Sequence, residues 1–273
     1  MKESNLLVPA PAARPFAPYI GGKRNLADRI IQRLGRIPHS LYAEVFVGMA
    51  GVFLRRPFRA PGEVINDLSR DVATTMRVLQ RHYVPFMDML KWQLTSRAEF
   101  DRLIKVVPDT LTDLERAARF IYLQRTAFGG KVAGRNFGVS YGPGRFDVTK
   151  LAPILEAAHE RLAGVVIECL PWQAFIDRYD RKGVLFYLDP PYWGSETDYG
   201  EGLFDRGQFE LLADRLARIK GRYVMSINDV PDIRRLFRGQ KIEPITTTYT
   251  VAQNASGARQ ARELLIGGPV WRR

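Results

Sequence analysis

With a single cysteine, Cys169, the chain can form no internal disulfide, which fits a reducing cytoplasm. Its three histidines, His39, His82 and His159, stand without a cysteine or histidine partner at ligand spacing, so no metal centre is expected. Long apolar runs are absent, and none approaches the roughly 20 residues that a membrane span requires. Acid is scarce relative to base: 29 Asp and Glu face 41 Lys and Arg, leaving a net charge of +12. Such an excess points to a polyanionic partner, and to nucleic acid before a membrane surface because no basic amphipathic helix dominates. Residues 1–18 are rich in proline and alanine and lack the apolar centre of a signal peptide, so they read as a loose arm.

What the chain does contain is ordinary globular material, 46% hydrophobic and 26% charged over 273 residues. That is enough for one large α/β domain, or for a core carrying an insert, without covalent staples. The most informative stretch is Asp189-Pro190-Pro191-Tyr192, which follows the apolar run Val184-Leu185-Phe186-Tyr187-Leu188. The run reads as a buried strand. Two prolines, which cannot donate to a ladder, then end it. The result is a carboxylate at the carboxyl end of a strand, followed by stiff backbone and an aromatic ring. Such a group can hold a flat, amino-bearing ring; an Asp-Pro turn with no further role is the duller alternative.

The first part of the chain opens with a turn, Tyr19-Ile20-Gly21-Gly22-Lys23-Arg24, and a helical pattern from Leu26 to Leu34. A strand from Leu41 to Val47 ends at Gly48-Met49-Ala50-Gly51; a second, Glu63-Val64-Ile65, ends at Asn66-Asp67, and Ser69 can cap the helix through Leu79. Asp67 follows Gly48 by 19 residues, close to the spacing between a glycine turn and a ribose-binding acid in nucleotide-binding βαβ units. The G-x-G-x-x-G of dinucleotide-binding proteins is absent. Helical periodicity covers Phe86 to Leu103 and Leu114 to Leu123. Strands return at Val165–Ile167, Val184–Leu188, Tyr223–Ile227 and Glu263–Ile266, with helical patterns at Phe204–Ile219 and Ile233–Phe237. Alternation of this kind predicts a mostly parallel sheet covered on both faces, with the glycine turn, Asp67 and Asp189 at its carboxyl rim.

Between Arg116 and Lys150 seven bases (Arg116, Arg119, Arg125, Lys131, Arg135, Arg145, Lys150) meet one acid, Asp147, so this stretch carries a net +6 of the +12. A solvated basic face is the plain reading. Interleaved Phe128, Phe137, Tyr141 and glycines favour a surface that meets phosphates and stacks on bases.

Taken in order, these segments resemble the Dam-like DNA N6-adenine methyltransferases of phage type. Pro18 to Lys23 resembles their N-terminal cofactor motif, Glu44-Val45-Phe46-Val47-Gly48 their cofactor loop, Asn66-Asp67 their ribose acid and Asp189 to Tyr192 their catalytic motif. Ser226 to Asp229 with Ile233-Arg234, and Glu263 to Ile266, resemble later core segments, and Gln124 to Lys131 through Asn136-Phe137-Gly138-Val139 a target-recognition segment. The resemblance implies a Rossmann-like α/β methyltransferase core over 16–81 and 151–273, a mostly helical target-recognition insert over 82–150 and a flexible arm over 1–15. It also implies S-adenosylmethionine as cofactor and DNA as partner. Tyr19, Gly22, Lys23, Phe46, Gly48, Asp67, Trp172 and Asp189 would then line the cofactor site. Arg125, Lys131, Arg135, Asn136, Tyr141 and Trp193 would face DNA. Val45 stands where the family has proline and Ala50 where it has a second glycine, so Ala50 must either keep φ below zero or accept strain.

The chemistry implied is direct attack of adenine N6 on the cofactor's methyl group. Asp189 and the Pro190 carbonyl would accept the two N–H bonds of the amine, and Tyr192, with Trp193 as its backup, would stack on the base. A paired base cannot reach such a site, so the target is flipped out or single-stranded. Each residue has a duller rival: Asp67 as a helix cap, Lys23 as a surface lysine, Phe46 and Trp172 as core. An N4-cytosine methyltransferase, an RNA substrate, and a non-catalytic DNA-binding protein on a decayed fold are the competing readings of function.

Overall fold

The computed structural model describes residues 6–19, 21, 23, 25–138, 144–195, 204–250 and 258–268, with backbone alone at 247–250 and 258–261. The chain opens with β1 (Val8–Pro9), α1 (Ala27–Gly35), β2 (Leu41–Glu44), β3 (Phe58–Arg59) and β4 (Gly62–Asn66). Four helices follow: α2 (Arg70–Arg81), α3 (Tyr83–Lys91), α4 (Arg97–Lys105) and α5 (Asp113–Thr126). Then come α6 (Val148–Leu162), β5 (Val166–Glu168), α7 (Trp172–Tyr179), β6 (Val184–Leu188), α8 (Arg206–Ala217), β7 (Arg222–Asn228), α9 (Pro231–Leu236), β8 (Lys241–Thr250) and β9 (Ala258–Gly268). Among the described residues no helix is long and apolar enough to cross a membrane.

Seven strands form one sheet in the order β5-β4-β2-β6-β7-β9-β8. The first five pair in parallel, and β9 and β8 close the sheet antiparallel. This is the mostly parallel, Rossmann-like α/β core that the alternation of patterns predicts. Strand order reverses between β2 and β6, whose register runs from Leu41 beside Val184 to Glu44 beside Tyr187. Chain leaving β2 turns one way and chain leaving β6 the other, which opens a crevice at their carboxyl ends.

Side chains alternate across the strands, and the alternation divides the core in two. Tyr42, Leu185 and Tyr187 face a cluster that includes Leu79, Phe120 and Leu155, whereas Ala43, Val184, Phe186 and Leu188 face Phe175, Phe209 and Leu212. The first cluster also takes in Phe86, Leu90, Phe100 and Leu103 from α3 and α4. The helices of the expected insert therefore share a core with the sheet. Helix starts follow local chemistry: Ser69, Ser96 and Thr112 each accept a backbone N–H, and Thr112 forms a reciprocal capping box with Glu115.

Three features differ from the sequence reading. From Val8 on, the expected arm is pinned: β1 pairs with β3, Ala13 N–H donates to Leu54 O at 2.8 Å, and Phe16 is fully buried. The continuous pattern from Phe86 to Leu103 is two helices, separated where Ser96 caps the second. Strand β8 and helices α6 and α7 add elements that short apolar runs did not announce.

Candidate active site

A cavity of about 930 Å³ opens at the β2–β6 crevice. Its walls include Tyr19, Lys23, Phe46, Gly48, Asp67, Trp172 and Asp189; Gly22, the remaining expected cofactor residue, lies outside the described residues. The turn after β2 builds one wall. Gly48 adopts φ +49°, and a Cβ there would sit 3.0 Å from the Tyr19 ring, so only glycine allows the ring this close. Its N–H donates to Asp67 Oδ2 at 2.8 Å, while Asp67 Oδ1 accepts from Ser69 N–H at 2.9 Å. Asp67 thus ties the glycine turn to the end of β4; the cap of α2 is Ser69. Ala50 takes the strained alternative, at φ +55° and fully buried, which costs about 1–2 kcal/mol for an L-residue.

Asn66 holds the surrounding loops together. Its Nδ2 donates to Val45 O at 3.0 Å and Leu170 O at 3.1 Å, and its Oδ1 accepts from Leu170 N–H at 2.9 Å. Across the cavity, Trp172 is buried but lines the wall, its indole N–H donating to Gln208 Oε1 at 2.9 Å. Phe46 packs edge-on against Phe204, ring centroids 6.0 Å apart. Both aromatic candidates therefore serve core and cavity at once.

Asp189 is the centre of a dense polar cluster. Its Oδ1 faces Lys23 Nζ at 2.7 Å and accepts from Ser226 Oγ at 3.0 Å; Ser226 in turn pairs with the Tyr187 hydroxyl at 2.8 Å. Lys23 also donates to the Tyr192 hydroxyl at 2.8 Å and to Gly21 O at 3.2 Å. The Tyr192 hydroxyl donates to Glu263 Oε1 at 2.5 Å, and Glu263 Oε2 lies 3.9 Å from Lys23 Nζ. Lys23 and Glu263 are almost fully covered, whereas the Asp189 side chain is 19% exposed. Burial pushes the Asp189 carboxyl up to about 6, a rise that Lys23's charge opposes and Glu263's reinforces. Glu44, one strand away and lining the same cavity, is pushed up to about 8 by burial. Asp67 is raised too by burial, against the two N–H bonds it accepts.

A glycine turn braced on an acid and a second acid at the strand-order reversal share one cavity with aromatic walls. The profile of the D12 class N6 adenine-specific DNA methyltransferases matches residues 19–251. The chain belongs to that family. Its relatives include the type II methyltransferase M1.LlaDCHI of Lactococcus lactis subsp. cremoris, 27% identical, with 93% of this chain and 94% of the relative covered. The DNA adenine methylase of Vibrio cholerae is 25% identical over 92% of this chain and 95% of its own. The type II methyltransferase M.CviBI of Paramecium bursaria Chlorella virus NC1A is 24% identical, with 83% and 87% covered.

As a member of this methyltransferase family, the enzyme differs from the sequence reading in how its site is assembled. Lys23 belongs as much to Asp189 as to the cavity wall, and Glu263 and Ser226 complete a cluster that sequence reasoning named only as parts of later motifs. Tyr192 is held by its hydroxyl between Lys23 and Glu263, which fixes its ring. The Trp193 backbone is clamped by Asn228 through two 3.0 Å hydrogen bonds, and its ring packs on Phe209 at 5.1 Å.

The basic stretch divides sharply. Arg116 and Arg119 are buried, the first on Asp71 at 2.6 Å and the second on Leu103 O at 2.8 Å. Arg125 lines the cavity and donates to Phe16 O at 2.9 Å. Arg135 donates to Lys131 O at 3.1 Å and Gln124 Oε1 at 3.2 Å. Both are half-buried, burial lowers the pKa of each, and in this conformation both bond to acceptors of the protein itself. Lys131 and Asn136 are exposed, on a loop closed by the Ala127–Phe137 bridge, and Phe128, beside that bridge, is 57% exposed. Tyr141 lies outside the described residues.

Proposed function

We propose that this enzyme uses S-adenosylmethionine to methylate N6 of an adenine rotated out of DNA, with Asp189 holding the amine. The carrying observation is that Lys23 and Ser226 both engage Asp189 Oδ1. Oδ2 is then the oxygen left to accept from a substrate N–H, and Pro190 O, next along the chain, would accept the other. Two acceptors draw the amine toward tetrahedral geometry and stabilise the positive charge that develops as its lone pair engages. Tyr192, fixed by its hydroxyl, offers a ring face to the base.

The residues present fit the cofactor. Gly48 and Asp67 suit a ribose and Phe46 and Trp172 its base, and Tyr19, Gly21 and Lys23 line the same cavity as Asp189. The volume lies within the range of small-molecule and cofactor sites, about 300–1,000 Å³. When bound, S-adenosylmethionine supplies a methyl group on a sulfonium, an electrophile that needs no covalent enzyme intermediate. Since a stacked, paired adenine cannot enter this crevice, the base must leave the duplex or come from a single strand. We assign sequence recognition to 82–150, with Lys131 and Asn136 meeting DNA, and catalysis to 16–81 and 151–273.

The test is incubation of the full chain with DNA and S-adenosylmethionine, followed by mapping of N6-methyladenine by long-read sequencing. Wild type should mark adenines, and Asp189→Ala should bind DNA with wild-type affinity but leave it unmarked. Undiminished marking by the variant would refute the role of Asp189; methylated cytosine in place of adenine would refute the choice of base.

A further inference from the structure

At the aromatic end of the cavity stands a side chain that the methyl-transfer chemistry does not use. Gln208, in the first turn of α8, lines the cavity with Trp172, Phe46 and Phe204. Its Oε1 accepts from Trp172 Nε1 at 2.9 Å and from Gln173 Nε2 at 2.8 Å. An indole N–H can only donate, so the Gln208 atom facing it must be the oxygen; the orientation of the amide is chemically determined. Two donors also fill both lone pairs of that oxygen. Gln208 is left as a donor alone, through the two N–H bonds of Nε2.

We infer that Gln208 Nε2 donates to a ring nitrogen of the cofactor's adenine at this end of the cavity. The assignment rests on the cofactor reading above. A free glutamine amide can pair with adenine through both of its ends, giving to a ring nitrogen and taking from the amino group. Here the accepting end is occupied, so only an acceptor is matched. Adenine presents N1, N3 and N7 as acceptors, whereas guanine carries a hydrogen on N1 and would set donor against donor there. Trp172 therefore acts as a positioning residue as well as a wall, since its N–H keeps the amide from flipping.

The probe is S-adenosylhomocysteine, titrated calorimetrically into the full chain, together with its 1-deaza, 3-deaza and 7-deaza analogues, each lacking one ring acceptor. Gln208→Leu should weaken the parent compound about two- to tenfold, the range of one net neutral hydrogen bond. Gln208→Glu, which sets a carboxylate against the acceptor, should weaken it further. One deaza analogue should bind wild type more weakly than the parent by the factor seen for Gln208→Leu, and should bind Gln208→Leu as well as the parent does. Trp172→Phe, which keeps a ring but frees the amide, should fall between wild type and Gln208→Leu. Wild-type affinity in Gln208→Leu, or analogue losses identical in wild type and variant, would overturn the assignment while leaving the cofactor reading intact. Failure of wild type to bind S-adenosylhomocysteine would overturn both.

Discussion

Lys23→Met should displace the acid limb of the pH–rate profile upward. The substitution keeps the length of the side chain and removes a charge that sits 2.7 Å from Asp189 Oδ1 in a setting almost closed to water. Asp189 must be ionised to accept from an amine, so activity is lost as pH falls through its pKa, which lies at about 6 with Lys23 present. A neighbouring opposite charge at this range typically lowers a carboxyl pKa by about 1–3 units, which places the midpoint without Lys23 at about 7–9. With a midpoint of about 8, the ionised fraction at pH 7 falls from about nine-tenths to about one-tenth, a rate loss near tenfold that closes above about pH 9. Single-turnover transfer of labelled methyl to DNA, at saturating cofactor from pH 5 to 10, reads this directly. Glu263→Gln supplies the opposite sign. It removes the carboxylate that helps to raise Asp189, so its acid limb should move below that of wild type. An unshifted limb in Lys23→Met, or a deficit equal at every pH, would refute the argument that Lys23 acts through the charge state of Asp189.

Three further outcomes follow from the same cavity and its rim. Asp67→Ala removes the acceptor of the Gly48 and Ser69 N–H groups; it should cost about 1–3 kcal/mol in urea unfolding, together with most of the affinity for S-adenosylhomocysteine. Glu44 has a folded pKa of about 8, above its ordinary 4.5, so its contribution to stability is complete below pH 4.5 and is lost as pH rises toward 8. Glu44→Gln should therefore gain in melting temperature over wild type progressively across that window and hold the gain above it; a constant difference would contradict this. Lys131→Gln should weaken binding to all DNA sequences alike and reduce the salt dependence by about one phosphate contact, read from affinities at several salt concentrations.

What the sequence made legible, and what it hid, divides along physical lines. Strand β6 is buried at every position and stopped by two prolines, so its run of five apolar residues reads without alternation. Strand β8 reads poorly because it is an edge: Pro244 interrupts it, threonines follow, and among its described side chains only Ile245 is buried, between exposed neighbours. An edge strand tolerates that proline where a central one would not. Helix α6 is obscured by Pro153 within it. Within the site, the glycine turn and Asp67 could be paired by spacing because they follow two strands, β2 and β4, that are close in sequence and paired in parallel. The partners of Asp189 could not, since Lys23 and Tyr192 are 169 positions apart and meet only through the fold. The basic stretch hid something else: an arginine bonded to the protein's own acceptors is written with the same letter as one facing solvent, so the hydrogen bonds of Arg125 and Arg135 could not be read from it.

The apolar cluster that runs without a break from α3 and α4 into the sheet has an evolutionary consequence. A recognition part with its own core could be exchanged between relatives like a cartridge. Here such an exchange would tear Phe86, Leu90, Phe100 and Leu103 from the layer that also supports β2 and β6. On the recognition role proposed above, new target preferences would arise by drift in the exposed residues around Phe128 to Asn136, over an unchanged helical underside. Chimeras that keep residues 82–126 and replace only that loop should fold, and chimeras that replace the whole segment should not.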